Sequence, residues 1–148
     1  PPKIGASLHE KVNVPLSEVP AAVLQVIKAA HPAFEMREAE KEIKHGNTYF
    51  DIEGVDGNGN DIEFDTLLQG DGSWRIAEIQ RDLSFGQLPE PVAKLYQSRR
   101  EGVPPRRIIE SDQGDGTTIY EFYTLEDGQE HKYEIRLDVA FLEEEWTH

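Results

Sequence analysis

The residues of this chain that could do chemistry are closely spaced carboxylates. Asp51, Glu63 and Asp65 occur in two neighbouring segments of alternating polarity, and Glu121 and Glu134 occupy similar places further along. Carboxylates that lie close together raise one another's pKa, and such pairs act as acid and base in glycosidases. Because alternating segments predict an open sheet face rather than a cleft, we expect no enzyme activity from them.

Other chemistries find less support in the sequence. The run Asp56-Gly57-Asn58-Gly59-Asn60-Asp61 resembles the start of a calcium loop, but such a loop needs glycine at its sixth position and glutamate at its twelfth. Those positions hold Asp61 and Leu67, so a hairpin turn is expected. The histidines lack the spacing of a helical zinc motif, and no serine lies in a nucleophile-elbow motif. We expect no cofactor.

The same carboxylates could instead belong to a face that docks another protein. Tyrosine and tryptophan are enriched at protein interfaces, and both occur in the alternating segments. The alternatives are an ordinary solvated sheet surface and an acidic surface that binds a small ligand or a cation such as calcium. The predicted binding residues are Tyr49, Asp51, Glu53, Glu63, Asp65, Trp74, Glu121, Tyr123, Lys132 and Arg136.

The elements that would position these residues occur twice. An apolar stripe with helical spacing begins beside Pro20, and a second begins beside Pro89, 69 positions later. The spacing predicts helices over about 17–30 and about 87–100. Ser17 is the expected N-cap of the first helix, because a serine side chain can accept a hydrogen bond from a first-turn amide.

Each stripe is followed by segments of alternating polarity separated by Asp/Gly turns, which predict half-buried antiparallel strands. The first-copy segments are 36–44, 48–55, 61–67 and 74–79, and the second-copy segments are 107–111, 119–125, 131–137 and 140–146. Phe50 and Ile52 should face the helix, whereas Tyr49, Asp51 and Glu53 should face solvent.

The sequence therefore predicts an α+β fold of two tandem repeats, each with one helix packed on a four-stranded antiparallel meander sheet. The two sheets could join into one curved sheet of eight strands. Residues 1–15 are a lead-in that could add a short strand through Val12 and Val14, 16–81 form the first repeat and 82–148 form the second. A unit of this size buries a marginal core when alone.

Composition narrows the range of partners. The 148 residues carry a net charge of −14, which repels nucleic-acid phosphate and anionic lipid, so neither is an expected partner. No apolar run approaches the length of a membrane span, and we expect no signal peptide within these residues. The chain has no cysteine, which excludes disulfides and thiolate metal sites. A basic protein or a cation would suit the charge.

Several strand motifs recur between the two copies. They are Tyr49-Phe50-Asp51-Ile52-Glu53, Gly59-Asn60-Asp61-Ile62-Glu63-Phe64 and Gly72-Ser73-Trp74 in the first copy, and Ile119-Tyr120-Glu121-Phe122-Tyr123, Gly128-Gln129-Glu130-His131-Lys132-Tyr133-Glu134 and a last strand ending at Trp146 in the second. Together with the proline-started helices, these motifs resemble the PepSY-like family in its tandem form, which has the fold of β-lactamase inhibitor protein.

The resemblance covers about residues 15–148 and carries functional expectations. It implies an exported protein, periplasmic or secreted, from which a signal peptide has been removed. It also implies a non-enzymatic module that binds, and in some members inhibits, another protein through the open face of its sheet. The partner would be a basic protein, or a peptidase or another hydrolase.

Overall fold

The computed structural model describes residues 9–138 and the backbone of residues 142–146. The chain divides into two compact units, Pro1–Ile79 and Gln80–His148. The first unit contains β1 (His9–Val14), a 3-10 turn (Leu16–Glu18), helix α1 (Ala21–Ala30), β2 (Glu35–Lys44), β3 (Asn47–Val55) and β4 (Asp61–Leu68). Strand β5 (Trp74–Leu83) begins in the first unit and ends in the second.

The second unit repeats this order of elements. After β5 come a 3-10 turn (Phe85–Gln87), helix α2 (Glu90–Arg99), β6 (Arg107–Asp112), β7 (Thr117–Glu126), β8 (Gln129–Asp138) and β9 (Leu142–Trp146). Of the predicted last strand, 140–146, the first two residues lie outside the described residues. No described helix is long and apolar enough to cross a membrane.

Consecutive strands pair in antiparallel register from β1 to β4 and from β6 to β9. Strands β4 and β5 are joined by a tight turn in which the backbone N–H of Gln69 donates to the carbonyl of Ser73 at 2.8 Å. The predicted α+β fold, in which a helix and an antiparallel meander occur twice, is confirmed. Strand β1 supplies the short strand expected in the lead-in.

Both helices begin later than the apolar spacing predicts. Helix α1 begins at Ala21 and α2 at Glu90, and each is preceded by a short 3-10 turn. Val19 is extended, with ψ 126°, because the ring of a following proline disfavours the helical region. The prediction of Ser17 as N-cap is therefore wrong: Ser17 lies in the 3-10 turn, and Pro20 holds the N-cap position.

Each unit has its own hydrophobic core. In the first, Val23 and Ile27 of α1 join Ile52 and Phe64 of the sheet, and in the second Val92 and Tyr96 of α2 join Phe122 and Ile135. Phe50 and Ile52 face the core, as the alternation predicts, and the cores also contain Phe64, Tyr120 and Tyr133. The strand faces opposite the cores are consequently the ones that could bind a partner.

Candidate docking face

The carboxylates expected to meet across strands do so in the first unit. In the β3–β4 ladder, Asp51 lies opposite Asp65 and Glu53 lies opposite Glu63. Strand β2 adds three more carboxylates on the same side, because alternate residues of a strand share a face. We define the acidic face as Glu38, Glu40, Glu42, Asp51, Glu53, Glu63 and Asp65.

Asp51 is buried, which contradicts the prediction that it faces solvent. Only 1% of the residue is exposed. The cause is β1, which pairs with β2 and brings Lys11 over the acidic face, where Nζ lies 3.7 Å from Oδ2 of Asp51 and 3.7 Å from Oε1 of Glu40. Alternation predicts the side of a strand on which a residue lies, but its depth depends on what the neighbouring strands place above it.

Asp51 and Asp65 each have an oxygen without a donor. Oδ1 of both residues is buried and accepts no hydrogen bond from the described residues. Burial, reinforced by Glu63, raises the pKa of Asp65 to about 10. Burial and a hydrogen bond shared with Glu42 raise the pKa of Asp51 to about 7. Asp65 therefore keeps a proton at neutral pH, and that proton can bridge the two carboxyl groups.

Proton sharing extends along the acidic face. A hydrogen bond shared with Glu63, together with partial burial, raises the pKa of Glu53 to about 7. The pKa of Glu42 changes in the opposite direction. Burial by itself would raise this pKa, but the hydrogen bond to Nε2 of His9, at 2.8 Å, helps to lower it below its ordinary value. Burial also works against Lys11, yet the negative charge of Glu40 raises the pKa of this lysine.

Negative charge on the acidic face exceeds the positive charge that contacts it. Lys11 forms ion pairs with Glu40 and Asp51, and His9 contacts Glu42. Within the part of the chain that the structure describes, the other four carboxylates form no ion pair: Glu38, Glu53, Glu63 and Asp65. The surface is thus incompletely neutralised by the protein itself.

The two aromatic residues predicted for this part of the face have different positions. Tyr49 lies on the same side as the acidic face, opposite Glu42 in the β2–β3 ladder, with Nζ of Lys44 5.5 Å from the centre of its ring. The prediction for Trp74 is wrong. Its ring packs edge-to-face against Phe50, with centroids 5.4 Å apart, and so belongs to the core side of the sheet.

The four predicted residues of the second unit share one side of β7 and β8, but their charges are compensated. Glu121 lies opposite Glu134, Tyr123 lies opposite Lys132, and Arg136 follows on the same side. Nζ of Lys132 is 3.2 Å from Glu121 and 3.2 Å from Glu134, and these hydrogen bonds raise the pKa of the lysine. One lysine therefore contacts both members of a carboxylate pair that resembles the pair in the first unit, and it offsets one of their two negative charges.

Sequence reasoning missed the residues that β1 and β2 bring to the acidic face. The sequence did contain a signal for the β2 residues, since Glu38, Glu40 and Glu42 alternate with Ala39 and Lys41. Such alternation predicts a strand with one acidic side. Lys11 had no comparable signal, because nothing in the local sequence shows which strand a lead-in segment will join.

The run that resembles the start of a calcium loop forms a turn. Oδ1 of Asp56 accepts hydrogen bonds from the backbone N–H groups of Asn58 at 2.8 Å and Asn60 at 2.9 Å, which makes a closed turn between β3 and β4. The expected hairpin is confirmed. Among the described residues, no group of three or more histidine, aspartate or glutamate side chains is arranged to hold a metal ion.

These features define the class of protein: an α+β protein of two tandem copies, the first of which presents an acidic sheet face. No family model and no curated protein matches the chain. Among solved structures, it is similar to a "putative periplasmic protein from DUF2874 family" from Bacteroides vulgatus, with 18% identity over 89% of this chain and 92% of that one and a TM-score of 0.35. A likeness at this level carries no functional argument, so the PepSY-like assignment stays a prediction.

Proposed function

We propose that the protein is an exported, non-enzymatic binding module that docks a basic segment of another protein on its acidic face. The observation that supports this most directly is the set of carboxylates on this face that form no ion pair with the described residues: Glu38, Glu53, Glu63 and Asp65. Like charges directly opposite each other in a sheet are destabilising, and burial adds a desolvation cost. Such local costs are typical of functional sites.

A partner's lysine or arginine would supply what the acidic face lacks. Ammonium and guanidinium groups donate hydrogen bonds and carry no acceptor, so they suit the accessible carboxylates that have no cation partner among the described residues, Glu38, Glu53 and Glu63. Binding of these cations would displace the protons held by Asp65 and Glu53, and affinity should therefore rise with pH. Tyr49, at the edge of the same face, would provide an aromatic contact of the kind enriched at interface hot spots.

The second copy argues against an ordinary solvated surface. Glu121 and Glu134 form an equivalent opposed pair, but Lys132 offsets one of its two negative charges from within the chain. The first copy has Glu63 at the corresponding place, 69 positions earlier, where a lysine would do the same. The second copy thus has a lysine that contacts both members of its pair, whereas in the first copy Lys11 contacts Asp51 and, among the described residues, no cation contacts Asp65.

Glu63→Lys tests the proposal because it provides that internal cation. A synthetic decalysine peptide should bind the wild-type protein more tightly at pH 8 than at pH 5.5, measured by isothermal titration calorimetry. In Glu63→Lys this binding should fall by roughly tenfold or more, the effect of one charged contact. Glu18→Lys, which makes the same charge change in the 3-10 turn before α1, is the matched control and should bind nearly as the wild type does.

Equal binding by Glu63→Lys and Glu18→Lys would refute specific docking, since it would show that only net charge matters.

Tyr49→Ala should weaken capture of a protein partner from a periplasmic extract without unfolding the protein. Unchanged capture would show that Tyr49 is not part of the docking site. Assay of a captured peptidase or other hydrolase, with and without the protein, tests inhibition. Fractionation of cells that express the native gene tests export, and retention in the cytoplasm would contradict it.

A further inference from the structure

The second unit contains a cavity that the acidic face does not involve. Its volume is about 880 Å³, within the range of small-molecule sites. It lies where α2, the 3-10 turn before it and the connection from α2 to β6 meet. Apolar side chains dominate the lining, including Leu83, Phe85, Tyr96, Val103 and Ile108.

The cavity is lined by a connection that differs between the two copies. The connection between α1 and β2 has four residues, 31–34, whereas the connection between α2 and β6 has seven, 100–106. In the first copy the short connection ends in Phe34, which is 3% exposed and whose ring lies 4.8 Å from that of Phe64. The residue 69 positions after Phe34 is the smaller Val103, which is only half-buried.

The longer connection is held in place rather than left loose. The hydroxyl of Tyr96 donates to the carbonyl of Val103 at 2.7 Å. The Tyr96 ring stacks on the ring of Phe122, with centroids 4.3 Å apart, and contacts Phe85 edge-to-face, with centroids 6.1 Å apart. A preformed apolar cavity reduces the ordering cost of binding a ligand.

The charge around the cavity is opposite to that of the protein as a whole. Its lining includes Arg100, Arg106 and Arg107 against a single acidic residue, Glu101, in a chain whose net charge is −14. The segment Arg99–Arg107 alone carries four arginines. Such a concentration of arginine at one apolar opening provides charge complementarity for an anion.

The three arginines are not equally available. Arg100 forms an ion pair with Glu126 and lies over the ring of Tyr133, 4.7 Å from its centroid, so its role is structural. Arg107 is exposed and pairs with Asp82 at 3.2 Å, a surface contact of small net value. Arg106 is exposed and, among the described residues, has no ion-pair partner. Arg106 and Arg107 are therefore the cations that a ligand could engage.

We propose that this cavity binds a small amphiphilic anion, an alkyl carboxylate whose chain lies on Tyr96, Phe85 and Val103 and whose head group pairs with Arg106 and Arg107. Arginine suits a carboxylate because its planar guanidinium can donate two parallel hydrogen bonds. The proposal is independent of docking on the acidic face, since every residue in it belongs to the second unit.

Calorimetry with decanoate, below its micellar concentration, tests the proposal. Decanoate should bind with one site per chain. Butyrate, which lacks the long tail, and decyltrimethylammonium, which has the opposite charge, should each bind at least roughly tenfold more weakly, the effect of losing several buried methylenes or a charged contact. Equal affinity for decanoate and decyltrimethylammonium would refute a role for the arginines.

Variants locate the site. The double variant Arg106→Gln with Arg107→Gln should weaken decanoate binding by roughly tenfold or more. Ser98→Trp, at an exposed lining position on α2, should weaken it by filling the cavity. Arg75→Gln in the first unit is the matched control and should bind normally, as should Glu63→Lys. Full affinity in either the double variant or Ser98→Trp, with an unchanged melting temperature, would overturn the assignment.

Discussion

Replacement of Asp65 by asparagine should abolish the pH dependence that this residue imposes on stability. Asp65 lies opposite Asp51, and burial raises its pKa to about 10. In the unfolded chain an aspartate has a pKa of about 4. Between these values the folded protein holds a proton that the unfolded chain releases, so the free energy of unfolding falls as pH rises.

The magnitude follows from that proton. One proton held only by the folded state lowers the free energy of unfolding by about 1.4 kcal/mol per pH unit. Between pH 5 and pH 7 the full effect would be about 3 kcal/mol, and solvent screening of the partly buried Asp65 reduces it to about 1–3 kcal/mol. Asp65→Asn removes this titration, and its amide can donate permanently to Asp51.

Urea unfolding followed by circular dichroism at several pH values between 5 and 7.5 measures the effect. Across this range, the free energy of unfolding of the variant should rise by about 1–3 kcal/mol relative to that of the wild type, which corresponds to a few degrees in melting temperature. Asp61→Asn, an isosteric change at the exposed start of the same strand, should follow the wild-type curve. A curve for Asp65→Asn parallel to that of the wild type would refute the reasoning that the buried pair shares a proton.

Three further changes test other contacts. Gly54→Ala would place a Cβ in steric overlap with the carbonyl oxygen of Glu35, so overpacking should cost about 1–3 kcal/mol in urea unfolding; an unchanged midpoint would contradict this close approach. Tyr96→Phe removes the hydroxyl that holds Val103 and should cost about 1 kcal/mol, with faster amide exchange in the connection after α2 as its signature. Lys11→Met removes the cation above the acidic face and should destabilise the protein more at pH 8 than at pH 5, because the carboxylates are more ionised at the higher pH; an equal loss at both values would exclude an electrostatic cause.

Most of the fold could be predicted because the pattern of apolar residues reports which face an element buries. Helix spacing located both helices, and alternation located the strands with their core residues, as Phe50 and Tyr133 illustrate. The predicted helix starts were too early because apolar spacing does not register the steric effect of Pro20 on Val19, which is extended. This restriction on Val19 could have been predicted from the sequence, because Pro20 follows it directly.

The candidate site was less predictable because it depends on pairing between distant segments. Asp51 is buried through Lys11, a residue 40 positions away in a strand that local sequence does not join to β2. Trp74 begins a strand whose face is set by the turn before it, and periodicity alone left that face open. The cavity near Val103 depends on a connection of seven residues where the first copy has four, and loop length alone does not show whether a loop encloses space.

The second copy shows that a lysine can be placed on an opposed carboxylate pair in this fold, which makes its absence from the first copy a testable difference. Lys132 lies opposite Tyr123 and contacts both members of the Glu121–Glu134 pair; the same position in the first copy holds Glu63, which adds a charge instead of removing one. A lysine there should increase stability at neutral pH and, on the proposed function, weaken docking. Proteins commonly keep a destabilised site where activity depends on it. If Glu63→Lys is more stable at pH 7 but binds decalysine poorly, the acidic face lowers stability and is needed for binding. A more stable variant with full binding would contradict a role of the acidic face in docking.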